Sequence, residues 1–227
     1  DEAQGLVETG ASTGIPGEVG GCQPARRLLA ARNQAKRALE QIIKLDRDRD
    51  IQPPLRYEIR LELARLWLEH EDPSMIEGML ATLIGKLRQL STQNASITWM
   101  LLRALCLQAS AHEKQNHFSQ AAQNLLDVVS LIHAQQEAIA QHNPVGPSLF
   151  WEPLNQLGRV RLKTQDLQGA GEMFSLALEH ATSEDDLVGQ LTIRGNRATL
   201  LAMKRHGDEA LQELDTALEL ARQTGQL

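Results

Sequence analysis

From Pro24 onward, apolar positions recur at intervals of three and four. Leu28, Ala31, Ala35, Ala38, Ile42 and Leu45 mark one face of a first helix, with Pro24 suited to its opening turn. The stretch DRDRDIQPP (46–54) breaks the pattern, and the next helix reads from about 55 to 71. Asp72 is a good N-cap and Pro73 suits the first position of a following helix, whose apolar run reaches Leu90. Helical periodicity then covers about 95–115, 118–139, 148–164, 167–182, 185–204 and 208–224. The one strong Pro/Gly interruption is QHNPVGP (141–147). β-Branched residues are few and strict alternation is absent, so the pattern predicts an all-α chain. Helices of about 16–21 residues joined by tight turns are antiparallel neighbours.

Residues 1–23 do not share this pattern. They hold six glycines and one proline with little apolar content, and read as a flexible acidic tail or linker that cannot offset its ordering entropy. Residues 24–227 then form the helical domain, with hairpins over about 55–91, 95–139, 148–182 and 185–224 after the N-terminal helix.

The hairpins are copies of one another. Laying 157–181 over 197–221 matches Ala170 with Ala210, Phe174 with Leu214, Ala177 with Ala217 and Leu178 with Leu218. The same frame puts Ala121, Leu125 and Val128 in those places, and before them Ile76, Leu80 and Leu83. The intervals are 45, 49 and 40 residues, the period of stacked helical hairpins.

These residues resemble the tetratricopeptide repeat family. Its small residue late in the first helix is supplied by Ala64, Ala109, Gly158 and Ala198, and its Ala–aromatic–Ala frame on the second helix by Ala170, Phe174 and Ala177. The usual Tyr of the first helix is replaced by Trp67, His112, Arg161 and Leu201, and the closing Pro is absent. The long spacing and endings such as LELARQTGQ look most like the long-helix, MalT-type variety of bacterial signalling proteins. The resemblance covers about 55–227 and implies a right-handed α-solenoid of about four hairpins. It further implies a non-catalytic interaction scaffold, the regulatory or adaptor part of a larger protein.

Composition narrows the partners. Aromatics are only 3% of the 227 residues, so Leu and Ala carry the interior, and Trp67, Trp99 and Trp151 are expected in core or inter-repeat packing. The net charge is −6, with Asp1, Glu2, Glu8 and Glu18 all preceding the first base, Arg26. No basic stripe with interleaved aromatics appears, which excludes nucleic acid as the main partner. No apolar run approaches a membrane span. Cys22 and Cys106 read as free thiols of a reducing compartment, hence a cytoplasmic protein.

Candidate chemistry is thin. Gly169 and Gly171 open a helix as a phosphate loop would, but no buried strand precedes them and no Lys with Ser/Thr follows. Close helix packing, or simple tolerance near a helix start, is the better reading. Gly10-Ala11-Ser12-Thr13-Gly14 matches a hydrolase elbow without the strand that the elbow needs. In HEKQNH, a five-residue spacing sets His112 and His117 about 140° apart on a continuous helix. The expectation is therefore no metal, no cofactor and no catalytic residue, with His70, His117 and His206 as polar turn residues.

In stacked hairpins the first helices line a concave groove. The groove residues expected to meet a partner are Glu62, Arg65, Arg103, Lys114, Asn155, Arg159, Lys163, Asn196 and Thr199, flanked by Glu58, Glu69, Glu113 and Thr192. Asn155 and Asn196 hold neighbouring places in consecutive repeats and suit a peptide backbone. Arg159 and Lys163 are one turn apart, ready for an acidic side chain or terminal carboxylate. The expected occupant is a peptide or helix of another protein. Two alternatives carry weight. Residues 52–70 are similar to the cohesin-loader subunit, which wraps a partner's extended tail; a helical small-ligand sensor is the other. The last helix has no polar cap after it, which predicts further chain or a homodimer contact through the C-terminal hairpin.

Overall fold

The structure, a computed structural model, describes residues 53–70, 73–91, 95–142 and 148–225, with a few helical positions between Asn33 and Gln41. The acidic segment 1–23, with its Gly10–Gly14 motif and Cys22, lies outside the described residues, as does Asp72. Eight long helices are present among the described residues: α1 (Pro53–His70), α2 (Ser74–Leu90), α3 (Ala95–Lys114), α4 (Phe118–His142), α5 (Ser148–Lys163), α6 (Leu167–Ser183), α7 (Leu187–Met203) and α8 (Gly207–Gln223). They stack as helix hairpins into an α-solenoid, and there are no strands among the described residues.

The turns are built on one plan. Asn116, Gln165, Asp185 and Arg205 all adopt left-handed backbone, with φ of 62°, 65°, 54° and 64°. That conformation costs an L-residue roughly 1–2 kcal/mol, and the turn offsets it with hydrogen bonds that end the preceding helix. In each, the next N–H reaches back to the carbonyl five residues earlier: His117 to His112 at 2.8 Å, Asp166 to Arg161, Asp186 to Ala181 and His206 to Leu201, each at 2.9 Å. The residue so placed then starts the following helix. Asp166 and Asp186 cap theirs directly, each side chain accepting from the N–H of Gly169 or Gly189 at 2.9 Å. Pro73, before α2, has helical dihedrals.

That capping answers the question the glycines pose. A Cβ on Gly169 would fall 2.3 Å from Asp166 Oδ2 and 2.4 Å from Arg161 Nη1, so the glycine makes room for the cap and its neighbour. Gly158 serves packing: a Cβ there would fall 2.5 Å from the Phe174 ring. All four small residues of the first helices, Ala64, Ala109, Gly158 and Ala198, are buried.

Over the first three hairpins the repeat frame faces inward, whereas in the last hairpin two of its positions, Leu214 and Leu218, are exposed. Ile76, Leu80, Leu83, Ala121, Leu125, Val128, Ala170, Phe174 and Ala177 are essentially without exposure. The interior runs as a strip along the stack. One cluster unites α1, α2 and α3, a second unites α5, α6 and α7, and Ala109, Ala121, Leu125, Leu157 and Val160 join them. Trp99 and Trp151 are buried in it, and Trp67 packs against its edge. Trp151 also donates from its indole N–H to the cap Asp186 at 2.7 Å. Cys106 leans on the first cluster, where burial and then the nearby Glu152 charge push its thiol well above the usual range.

Candidate binding groove

The first helices of successive hairpins are joined by polar bridges. Arg103 of α3 pairs with Glu62 of α1, which also receives Arg65 at 3.0 Å. Burial would raise the Glu62 carboxyl, but the hydrogen bonds and charges of Arg103 and Arg65 hold it below its ordinary value. The Arg103 guanidinium also lies 4.5 Å over the Trp99 ring. Lys114 donates to the Leu68 carbonyl near the end of α1, a cation at a helix C-terminus.

Between α3 and α5 the helices meet through long side chains. Gln156 donates to Ser110 at 2.8 Å. Glu113 of α3, its side chain only 6% exposed, takes Arg159 at 2.7 Å and Lys163 at 3.0 Å. Burial would raise Glu113 as well, and the hydrogen bonds and charges of Arg159 and Lys163 outweigh it, holding the carboxylate ionised. Both cations remain about half exposed. One step further, Asn196 of α7 donates to Asn155 of α5 at 2.8 Å, with Asn155 buried.

These placements divide the expected groove residues. Arg159, Lys163, Asn196 and Thr199 converge with Glu113 on an open cavity of about 480 Å³, completed by Leu162, Gln165 and Met203. A second hollow of about 160 Å³ continues from Arg159 to Ser110, Asn155 and Thr192. Glu62, Arg65 and Arg103 form a separate cluster toward α1, and Lys114 is taken up by the Leu68 carbonyl. Asn155, expected to meet a peptide, is instead committed to Asn196. Sequence reasoning did not single out Leu162 and Met203. Met203 stands one turn after Thr199 on the same face, a spacing that identifies it once the groove is known.

The two imidazoles of HEKQNH are also placed otherwise than a continuous helix predicts. The turn at Asn116 folds His117 back beside His112, with ring centroids 6.1 Å apart.

No protein-family model and no curated protein matches this chain. Solved structures do. BtubC (BKLC) from P. vanneervenii superposes with a TM-score of 0.64 at 15% identity, over 87% of this chain and 74% of its own. A putative kinesin light chain of Podosopora anserina with nearly identical TPR-like repeats gives 0.61 at 18% identity, over 89% of this chain and 93% of its own. A single-residue variant of that protein gives 0.54 at 17%, over 90% and 94%. Likeness at this identity speaks for architecture, and the architecture of this chain is that of the tetratricopeptide-like repeat fold.

Proposed function

We propose that the chain is a non-catalytic interaction scaffold whose groove between α3, α5 and α7 takes an acidic peptide segment or terminal carboxylate of a partner protein. Tetratricopeptide-like repeats are in general protein-interaction folds, and the groove supplies the charge. On the wall of the larger cavity two half-exposed cations, Arg159 and Lys163, share the single carboxylate of Glu113, an excess of one positive charge there, while Glu152 lines the adjoining hollow within electrostatic reach of Arg159. That excess carries the reading. Neighbouring Asn196 and Thr199 add side-chain polar groups, while Leu162 and Met203 give an apolar floor for a flanking side chain. Helices of 16–25 residues favour the long-helix variety of the repeat, in which such a module is the regulatory arm of a larger protein.

Fluorescence anisotropy tests this with labelled acidic, amidated and basic peptides of equal length, beside capture of partners from the source extract. The acidic peptide is expected to bind and the basic one not. Thr199→Glu, an exposed change that neutralises the excess charge, is expected to weaken binding at least about tenfold, or about 1.4 kcal/mol. Equal binding of acidic and basic peptides, or a partner kept undiminished by Thr199→Glu, overturns the groove assignment.

The last hairpin supports a further element of the reading, a homodimer through α8. Leu211, Leu214 and Leu218 stand at helical spacing on one face of α8 and are 61%, 48% and 41% exposed. Sedimentation velocity is expected to show a dimer that Leu211→Glu/Leu218→Glu converts to monomer. A monomer for the unaltered chain at high micromolar concentration refutes it.

A further inference from the structure

The turn between α3 and α4 gathers side chains of a kind found at no other described turn. The 2.8 Å bond from the His117 N–H to the His112 carbonyl closes the chain on itself, so residues five apart come face to face. In the third hairpin the same geometry opposes Arg161 and Asp166, whose Nε and Oδ2 lie 3.8 Å apart. There the facing groups are of opposite charge and satisfy one another. At the α3–α4 turn they are two imidazoles, and the nearest carboxylate belongs to a different helix: Glu77 of α2, with Oε1 3.2 Å from His112 Nδ1.

We propose that Glu77, His112 and His117 form a binding site for a late first-row divalent cation of the Zn²⁺ class. One ligand atom from each lies within 4.8 Å of the others. Zinc bonds of about 2.0–2.2 Å in a tetrahedron set ligand atoms about 3.3 Å apart, so closure needs only a shift of the ring that is free to move. That ring is His117, which is exposed on the turn. His112 is the fixed ligand. It is 9% exposed, and its Nδ1, 3.2 Å from Glu77 Oε1, is buried with no hydrogen-bond partner. A buried nitrogen lone pair or N–H left in this way costs stability, and a metal ion relieves it. Gln115 donates to Glu77 Oε1 at 3.1 Å and orients the carboxylate, as outer-shell partners of metal ligands do.

The donor set decides the class of ion. Two imidazoles and one carboxylate without sulfur suit zinc, cobalt, nickel or copper, while calcium and magnesium take all-oxygen sets. Three protein ligands leave a fourth position to water. Because Glu77 comes from α2 and the imidazoles from the end of α3 and the turn that follows it, the ion clips the first hairpin to the second.

Titration of the full chain with Co²⁺, read by visible absorption and calorimetry, tests the site. The unaltered chain is expected to take up one equivalent, displaceable by Zn²⁺, and to melt at higher temperature with Zn²⁺ present. His117→Ala, a change on the exposed turn, is expected to keep the helical circular-dichroism spectrum and to weaken binding by more than about tenfold. Glu77→Gln is expected to do the same, whereas His206→Ala, at the equivalent turn of the last hairpin, binds like the unaltered chain. Absence of saturable uptake up to millimolar Co²⁺ overturns the proposal. So does undiminished binding in both His117→Ala and Glu77→Gln.

Discussion

Phe174→Ala is expected to cost about 3–5 kcal/mol of folding stability, among the largest effects of a single truncation at a described residue. Among the described residues Phe174 is the bulkiest fully buried side chain, and it belongs to the cluster that joins α5, α6 and α7. Its ring occupies space that exists because position 158 has no side chain. Gly158→Ala alone is therefore expected to destabilise by about 1–3 kcal/mol through overpacking, although in an open helix the same change stabilises by up to about 1 kcal/mol. The pair is coupled. With Phe174 already truncated, the new methyl enters vacated space, and Gly158→Ala becomes neutral or favourable. Urea unfolding of the two single variants and the double variant measures this. Additive losses would show that the ring and the glycine do not share one volume.

Arg159→Met/Lys163→Met is expected to remove about 2–3 kcal/mol at pH 7 and to abolish acidic-peptide binding. The change strands the Glu113 carboxylate, whose side chain is only 6% exposed. Breaking a buried ion pair costs about 3–5 kcal/mol, and the half-exposed cations, already screened by water, reduce that figure. The sign of the pH dependence follows from Glu113. Its carboxyl titrates in the folded chain below the ordinary value of 4.5. The pairing therefore contributes in full above that value and is lost as pH falls through the lower folded one. The gap between the unaltered chain and the variant should be wide at pH 7 and close toward pH 3. A gap of equal size at both pH values would mean that the two side chains act through packing and not through charge.

What could be read from the sequence was local and periodic. The Ala170, Phe174 and Ala177 frame was visible because helix spacing repeats it at Ala210 and Ala217 and at Ala121 and Val128, and all seven are buried. The four small residues of the first helices were visible for the same reason. Two kinds of feature were not. Left-handed turn residues carry a sequence signal only where Gly or Asn supplies it. Asn116 does, and the break between the helices at about 95–115 and 118–139 was read there, but Gln165 and Arg205 do not; what the break did not give is the geometry that folds His117 back beside His112. The other kind is polar pairing between repeats. Asn155 and Glu113 are hydrophilic residues on the face that a solenoid turns toward a ligand. Only the stack reveals that Asn196 and the Arg159–Lys163 pair, more than 40 residues further along, already satisfy them.

The final hairpin differs from the others in what it buries. The buried positions of α8 are Ala210, Ala217 and Ala221, and the helix is held further by Glu213, which takes Arg194 at 2.9 Å and Arg197 at 3.1 Å. Alanines withdraw little area from water, and an ion pair at a partly open edge holds less than a buried aromatic ring. Amide protons in α8 are therefore expected to exchange with solvent faster than those of α5 and α6, which hydrogen–deuterium exchange would measure. A partner that seats against the leucines of α8 would slow that exchange first, so binding there is legible in amide protection before it is legible in shape.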